Sequence, residues 1–480
     1  YAGIQRLYEN SPLIAYEGIT EEPGYTYENK DYFFDGSSGQ LVEYSDAGDL
    51  SRAYIFPTMR RGGRMIYALD VTSPSEPSLL WSFGCPNLDN DTGCSGDEAK
   101  IGQTWSFPIA GYVSGYDDED PSDPQELPIA IFGGGFDECL NEDVAALPAD
   151  CGSGKGRAIY VLDATNGTVL ATYITDAPVV AEMDYVDINF DGLIDYAYAV
   201  DAAGNLYRVD FSVMTGADPE TQVTGLDRDD WEMNKIASTP NNNDRRFFSA
   251  PALGALKGTV VIAFGSGDRE RPLEANYPWA SSVQNRFYTL FDRPYEAVVS
   301  GGIDMDDTIN FFPVVQATVL DPDEEPETVD LEAKNGWYMD LSDRGEQVPN
   351  PAAIGGGKVF FNSFQPGGAS NGLCSKPLGI GTGYAVDVFS PVFTEGNEIA
   401  SGGIPIPPII ATVSIPPGRE RCVGDDCEEP DPIPNCPGHV DCETITVCVG
   451  CEGYRPVEII PEAPPIRRRM YYTENMDAAL

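Results

Sequence analysis

The residues best suited to chemistry lie in one short run, VDINFDGLID, at positions 186–195. Polar side chains alternate at positions 187, 189 and 191, Gly192 follows, and an aspartate ends the run. Alternation allows the three side-chain oxygens to face one point, while Gly192 permits a sharp turn. Such hard oxygen ligands are those that Ca²⁺ prefers. The predicted ligands are Asp187, Asn189, Asp191, Leu193 through its carbonyl, and Asp195 as a bidentate carboxylate.

This loop departs from the EF-hand pattern, which places a glutamate at position twelve. Here that position is Tyr198, and the last acidic residue, Asp195, stands at position nine. The residues that follow are aromatic and small rather than helical in period, which indicates a loop entering a strand. Two interpretations of the run stay open at this point, a Ca²⁺ loop or a solvated acidic turn.

The amino-acid composition restricts the classes of partner that this protein can bind. The 480 residues carry a formal net charge of −48, which disfavours nucleic acid and anionic membrane surfaces and favours cations. A hydrophobic content of 42% is enough to build a core, so a folded protein is expected. No run of eighteen apolar residues occurs, and we therefore expect no membrane-spanning helix.

Eleven cysteines indicate an oxidising compartment, and hence secretion. Cys85 and Cys94 flank one acidic loop, and Cys139 and Cys151 flank another, at spacings that a disulfide could close. Six more form a cluster near the C-terminus: Cys422, Cys427, Cys436, Cys442, Cys448 and Cys451. We predict disulfides in this cluster with unspecified connectivity, and a zinc site is the alternative.

Other catalytic chemistry has little support in the residues. The single histidine, His439, lies in the cysteine-rich segment beside Pro437 and Gly438, where no Ser-His-Asp or Cys-His arrangement is indicated. Cys451 is followed by Glu452, so the c-type haem motif is missing. We expect neither a catalytic site nor an organic cofactor.

Two recurrent strand patterns determine the predicted fold. The first is aromatic and β-branched and ends in aspartate, with its closest copies in IYALD from Ile66 and IYVLD from Ile159. The second ends in a glycine turn, as in LPIAIFGGG from Leu127 and VVIAFGSG from Val260. Repeated short strands with little helical periodicity predict an all-β chain folded as a β-propeller with loop insertions.

The chain divides into three predicted regions. Residues 1–31 are an extended lead-in, residues 32–400 form the propeller, and residues 401–480 form a Pro-rich and disulfide-rich tail. Polar insertions at Asp117–Gln125 and Asp321–Asp330 are expected to be surface loops. The prolines of IPIPPIIATVSIPP allow only an edge strand or an extended segment. The run Arg467–Arg469 is a rare basic patch that could contact a partner or be a solvated chain end.

Several segments resemble one family, the C-terminal propeller of the PilY-type adhesins associated with type IV pilus tips. They are Gly63–Phe83, Gly156–Gly167, Val186–Phe211 and Asn335–Phe361. The resemblance covers about Tyr32 to Pro391. It implies a modified quinoprotein-like propeller of seven blades, in which the loop with Asp187 and Asp195 binds Ca²⁺. It also implies transit through the periplasm to the pilus tip at the cell surface, with minor pilins as partners, and a role in pilus extension and retraction, twitching and attachment to host or abiotic surfaces.

Three hypotheses follow. The first is a non-enzymatic, calcium-binding pilus-tip protein. The second is a pyrroloquinoline quinone-type dehydrogenase, which would need a vicinal disulfide, whereas this chain has no adjacent cysteine pair. The third is a structural extracellular propeller with no role in the pilus.

Overall fold

The computed structural model describes thirteen segments of the chain. They are residues 32–45, 47–88, 90–114, 127–142, 154–240, 244–281, 283–314, 334–367, 379–391, 397–399, 403–415, 443–451 and 457–458. Several predicted features lie outside them, namely the lead-in, both polar insertions, His439 and Arg467–Arg469.

The first two sheets each contain four antiparallel strands in chain order. The first consists of β1 (Ser38–Tyr44), β2 (Leu50–Pro57), β3 (Arg64–Asp70) and β4 (Ser78–Cys85). The second consists of β5 (Ile109–Val113), β6 (Leu127–Gly133), β7 (Ala158–Asp163) and β8 (Val169–Ile174).

The third and fourth sheets add a parallel fifth strand to the same plan. The third runs through β9 (Asp184–Val186), β10 (Tyr196–Val200), β11 (Asn205–Asp210) and β14 (Glu232–Ser238) to β18 (Ile303–Asp304). The hairpin of β12 (Ser212–Met214) and β13 (Val223–Gly225) is separate from it. The fourth runs through β15 (Ala252–Leu256), β16 (Thr259–Gly265), β17 (Arg286–Asp292) and β20 (Gly336–Asp340) to β19 (Phe311–Val314).

The last two sheets complete the described strands. The fifth contains β21 (Ala353–Gly355), β22 (Lys358–Gln365), β23 (Ile380–Asp387) and β24 (Asn397–Ile399). The sixth contains β25 (Ile409–Ile415), β26 (Glu443–Val449) and β27 (Val457–Glu458). Helices are short: α1 (Pro219–Gln222) and the 3₁₀ turns Glu98–Lys100, Glu138–Asn141 and Arg228–Asp230. No helix in the described segments is long and apolar enough to cross a bilayer.

The two sequence patterns occupy equivalent places in the sheets. The pattern that ends in aspartate forms the third strand in each of the first five sheets, as β3, β7, β11, β17 and β23. The pattern that ends in glycine forms the second strand, as β6, β16 and β22. Each repeat in the sequence is therefore one sheet, which is the construction of a propeller.

The core lies between neighbouring sheets. One apolar cluster joins the first and second sheets around Phe83 and Tyr160, whose ring centroids are 5.1 Å apart. Another joins the fourth and fifth sheets, where Phe287 stacks on Phe361 with a centroid separation of 3.7 Å. Central strands such as β7 are buried on both faces, and this explains their continuous apolar composition.

The first strands of the sheets surround a common centre. β1 contacts β5, β15 contacts both β9 and β21, and β21 contacts β25. The predicted all-β propeller is thus confirmed by the fold. The described segments contain five sheets of four or five strands and a sixth of three, and the seven blades implied by the resemblance stay a prediction.

The sixth sheet packs on the fifth through side-chain amides. Asn350 donates to the carbonyl oxygen of Pro405 at 2.6 Å, and Asn362 donates to those of Ile406 and Gly450 at 2.8 and 2.9 Å. Both asparagines are buried. The Pro-rich segment therefore leads directly into an edge strand, β25, that is held against the preceding sheet.

Candidate metal centre

The loop with the predicted metal ligands connects β9 to β10, the first two strands of the third sheet. It is also attached to the second sheet, because the backbone N–H of Ile194 donates to the carbonyl oxygen of Tyr112 at 2.7 Å. Gly192 has φ 94° and Phe190 has φ 61°. Gly192 thus has a left-handed conformation at the position where the sequence predicted a sharp turn, and Phe190 shares that conformation at the exposed tip.

The polar side chains of the loop face its own backbone. The two carboxylate oxygens of Asp187 accept hydrogen bonds from the backbone N–H groups of Asp191 and Gly192, at 3.1 and 2.8 Å. The amide oxygen of Asn189 also accepts from the N–H of Asp191, at 3.2 Å. Asp191 in turn accepts from the N–H of Leu193 at 2.9 Å. The structure thus brings the alternating residues together in one compact loop.

Asp195 differs from the others because it is 1% exposed. One of its carboxylate oxygens accepts a hydrogen bond from the backbone N–H of Ile188 at 2.9 Å. Burial raises the pKa of Asp195 to about 6, the hydroxyl of Ser212 opposes this, and the negative charges of Asp187 and Asp191 add to it. Burial likewise raises the pKa of Asp187. Within the described segments, no lysine or arginine forms an ion pair with these three aspartates.

These observations allow the donor set to be compared with the needs of Ca²⁺. The loop offers three carboxylates, one amide oxygen and a carbonyl, and its buried carboxylate has no cationic partner among the residues that the structure describes, which fits a hard divalent ion. The carboxylates of Asp187, Asp191 and Asp195 do not all have oxygens within 4.8 Å of one another. Metal binding at this loop, and the set Asp187, Asn189, Asp191, Leu193 and Asp195, therefore stay predictions.

A tighter cluster of potential ligands, Cys85, Asp91 and Cys94, has another explanation. The two cysteines form the predicted disulfide, so neither offers a thiolate to a metal. Asp91 binds Arg64 and Lys155, at 3.0 and 2.8 Å. This cluster closes a loop rather than forming a metal site.

The other cysteines agree in part with the sequence analysis. Cys448 and Cys451 form a disulfide, which confirms disulfide formation within the C-terminal cluster. Cys139 is also disulfide-bonded, and its expected partner Cys151 lies outside the described segments. The other four tail cysteines also lie outside them.

Sequence reasoning missed a second polar site, a cavity of about 380 Å³ where the first strands begin. Ser37, Phe107, Ala250 and Pro351 line it, and each stands one or two residues before the first strand of a different sheet. Its charged lining residues are Arg60, Glu182, Asp184, Arg269 and Glu270. These residues belong to separate segments with no shared motif, so no local signal in the sequence could have revealed them.

Comparison with known proteins agrees with this architecture. Residues 13–308, more than half of the chain, match the family model described as the PilY1 beta-propeller domain. The candidate loop lies within this match. The crystal structure of the Pseudomonas aeruginosa PilY1 C-terminal domain superposes with a TM-score of 0.51 at 18% identity, over 75% of this chain and 71% of that one. At this identity the superposition supports the fold.

Relatives in sequence carry the same family name. A type IV pilus biogenesis factor PilY1 homolog of Xylella fastidiosa is 26% identical over 402 residues, which are 77% of this chain and 24% of that protein. Type IV pilus biogenesis factor PilY1 of Pseudomonas aeruginosa is 29% identical over 44% of this chain and 16% of its own length. The chain thus spans about a quarter or less of these relatives. Repeated sheets, the loop between β9 and β10 and the match over residues 13–308 together identify the chain as a member of the PilY1 β-propeller family.

Proposed function

We propose that this chain is a calcium-binding, non-enzymatic component of a type IV pilus, acting at the pilus tip in biogenesis. The observation that carries the proposal is the candidate loop inside the family match, where three aspartates have no cationic partner among the described residues. The relatives named above are pilus biogenesis factors. Their name supports the pilus assignment, and the loop supports the metal.

Bound calcium would neutralise negative charge in the loop and would order its exposed residues. Asp187 and Asp195 are ligands of opposite character, the first partly exposed and the second buried. A divalent ion would compensate the buried charge of Asp195, whose pKa is raised mainly by burial and further by the charges of Asp187 and Asp191, and would fix the exposed residues between Asp187 and Asp195. The metal then affects a partner only if that partner binds the two states of the loop with different affinity.

The proposed partners are minor pilins, at a cell-surface location reached through the periplasm. Through this contact calcium would adjust pilus extension and retraction, and hence twitching and attachment to host or abiotic surfaces. The loop projects Phe190, 61% exposed, at its tip. An exposed aromatic side chain next to a metal loop is a suitable contact for another protein.

The test is capture of minor pilins by the immobilised chain in CaCl₂ and in EGTA. The variants are Asp191→Ala in the loop and Asp229→Ala, an exposed aspartate in the Arg228–Asp230 turn, as the matched control. We expect calcium to change pilin capture by wild type and by Asp229→Ala, and not by Asp191→Ala. Equal capture in every condition would leave the metal with a structural role only. Failure to capture pilins in any condition would contradict the pilus assignment.

A further inference from the structure

The central cavity is separate from the candidate metal loop. Glu182 and Asp184 line it at the start of β9, whereas Asp187 follows the end of that strand. A strand of three residues spans about 10 Å, so cavity and loop lie at opposite ends of the first strand of the third sheet. The cavity is next to Ser37, which is exposed. A volume of about 380 Å³ is enough for a small organic molecule.

One pair of charges in the cavity is already satisfied. The guanidinium of Arg60 binds the carboxylate of Glu270 at 3.0 Å, and Arg61 binds the other oxygen of that carboxylate. Arg60 also lies over the ring of Trp105, 4.2 Å from its centroid. Phe136 stacks on that ring with a centroid separation of 4.7 Å. Trp105, which also lines the cavity, is therefore in contact with both Arg60 and Phe136.

A second pair of charged side chains in the cavity, Glu182 and Arg269, forms no ion pair with any residue that the structure describes. Among the described residues, the carboxylate of Glu182 forms no ion pair and no hydrogen bond with another side chain. Arg269 donates to the amide oxygen of Asn350 at 3.0 Å and forms no ion pair in the same part of the chain. Burial raises the pKa of Glu182, while the charges of Arg60 and Arg269 act in the opposite direction. Arg269 is exposed, so solvent reaches its charge, whereas Glu182 is only partly exposed and a carboxylate without an ion-pair partner there is costly unless a ligand or solvent compensates it.

The rest of the lining is largely apolar. Phe107, Ile109, Met183 and Phe248 come from segments of three different sheets and border the same space. Apart from the Arg60–Glu270 ion pair and Asp184, which accepts a hydrogen bond from the backbone N–H of Tyr185, the lining therefore offers the carboxylate of Glu182, the guanidinium of Arg269 and an apolar wall. A planar guanidinium is suited to a ligand carboxylate, and a carboxylate to a ligand ammonium group.

We propose that the central cavity binds a small zwitterion with an apolar side chain, of the α-amino acid class. Its ammonium group binds Glu182, its carboxylate binds Arg269, and its side chain contacts the apolar wall. A simple anion would satisfy Arg269 but would be repelled by Glu182. A simple amine would pair with Glu182 but would make no ion pair with Arg269.

The first test uses wild-type protein and three related probes. Calorimetric titration with L-leucine should show one site, whereas N-acetyl-L-leucine and L-leucinamide each lack one of the two charges. We expect each blocked compound to bind about tenfold more weakly or worse, as expected for the loss of a charged hydrogen bond. Absence of L-leucine binding would overturn the proposal, and so would equal affinity for N-acetyl-L-leucine, which would indicate an anion site.

The second test assigns the charges. Glu182→Gln and Arg269→Gln should each weaken L-leucine binding by about tenfold. Glu296→Gln, on an exposed loop outside the cavity, is the matched control and should bind as wild type does. Loss of discrimination against L-leucinamide in Arg269→Gln, and against N-acetyl-L-leucine in Glu182→Gln, would confirm the orientation. Unchanged affinity in both variants would refute the site, and the blocked compounds on wild type test it even if a variant fails to fold.

Discussion

Replacing Asp195 with asparagine should stabilise the metal-free protein, although it removes a predicted metal ligand. Asp195 is 1% exposed, and burial raises its pKa from 3.8 to about 6. At about 1.4 kcal/mol for each pKa unit, the ionised side chain costs about 3 kcal/mol of folding free energy. Asparagine has almost the same shape and keeps an oxygen for the N–H of Ile188, the donor at 2.9 Å in the native loop. We therefore expect Asp195→Asn to be more stable than wild type in EGTA at pH 7.5, by up to about 3 kcal/mol.

The raised pKa of Asp195 also determines the direction in which folding stability changes with pH. The folded protein binds the Asp195 proton more tightly than the unfolded chain, because the folded pKa is the higher one. The penalty is absent below about pH 4, grows as the pH rises toward 6, and is constant above that. The stability advantage of Asp195→Asn should therefore shrink as the pH is lowered from about 6 to about 4.

Calcium should stabilise the wild-type protein more than it stabilises Asp195→Asn. A ligand at one hundred times its dissociation constant stabilises the folded state by about 2.7 kcal/mol. Urea unfolding in EGTA and in excess CaCl₂, followed by intrinsic fluorescence, measures both effects, with Asp229→Asn as the exposed control. The reasoning fails if Asp195→Asn is less stable than wild type in EGTA. It also fails if calcium stabilises both proteins equally.

Two further predictions concern positions away from the loop. Asp268→Ala removes the carboxylate that binds the fully buried guanidinium of Arg246 at 3.0 Å, and urea unfolding should show a loss of about 3 kcal/mol. Asp268→Asn, which removes the charge but keeps an acceptor, should lose less than Asp268→Ala, and equal losses would mean that the retained acceptor contributes nothing. Deletion of residues 403–480 removes the carbonyl partners of Asn350 and Asn362, and should lower stability by about 1–3 kcal/mol for each buried amide. Unchanged thermal unfolding of the truncated chain would contradict that role.

The recurrence of the strands was predictable because each sheet repeats the same burial. β7 and β16 are buried along nearly their whole length, and burial on both faces requires the continuous apolar runs that were recognised in the sequence. The fifth strands were not predictable. β18 has two residues and β19 includes Pro313. Both pair in parallel, β18 with the much earlier strand β14 and β19 with the next strand, β20, across an intervening segment. Their position depends on long-range contacts rather than on local composition.

The two candidate sites also differ in how far they could be predicted from the sequence. The loop from Asp187 to Asp195 is continuous in sequence, so the spacing of its oxygens could be read directly. Glu182 and Arg269 are far apart in the chain and meet only because the first strands of the sheets surround a common centre. The closed array of repeated sheets brings the two residues together, although neither belongs to a recognisable sequence motif.

The contacts at the ends of the loop indicate where calcium can act. The backbone N–H of Asp195 donates to the carbonyl oxygen of Val186 at 3.0 Å, and its own carbonyl oxygen accepts from Phe211 at 2.9 Å. These bonds, and that from Ile194 to the second sheet, need no metal. The exposed middle of the loop is instead held by hydrogen bonds to the carboxylates that a cation would engage. Under the proposed function, the calcium-sensitive surface is therefore this middle segment, with Phe190 at its tip, while the surrounding sheets keep their arrangement.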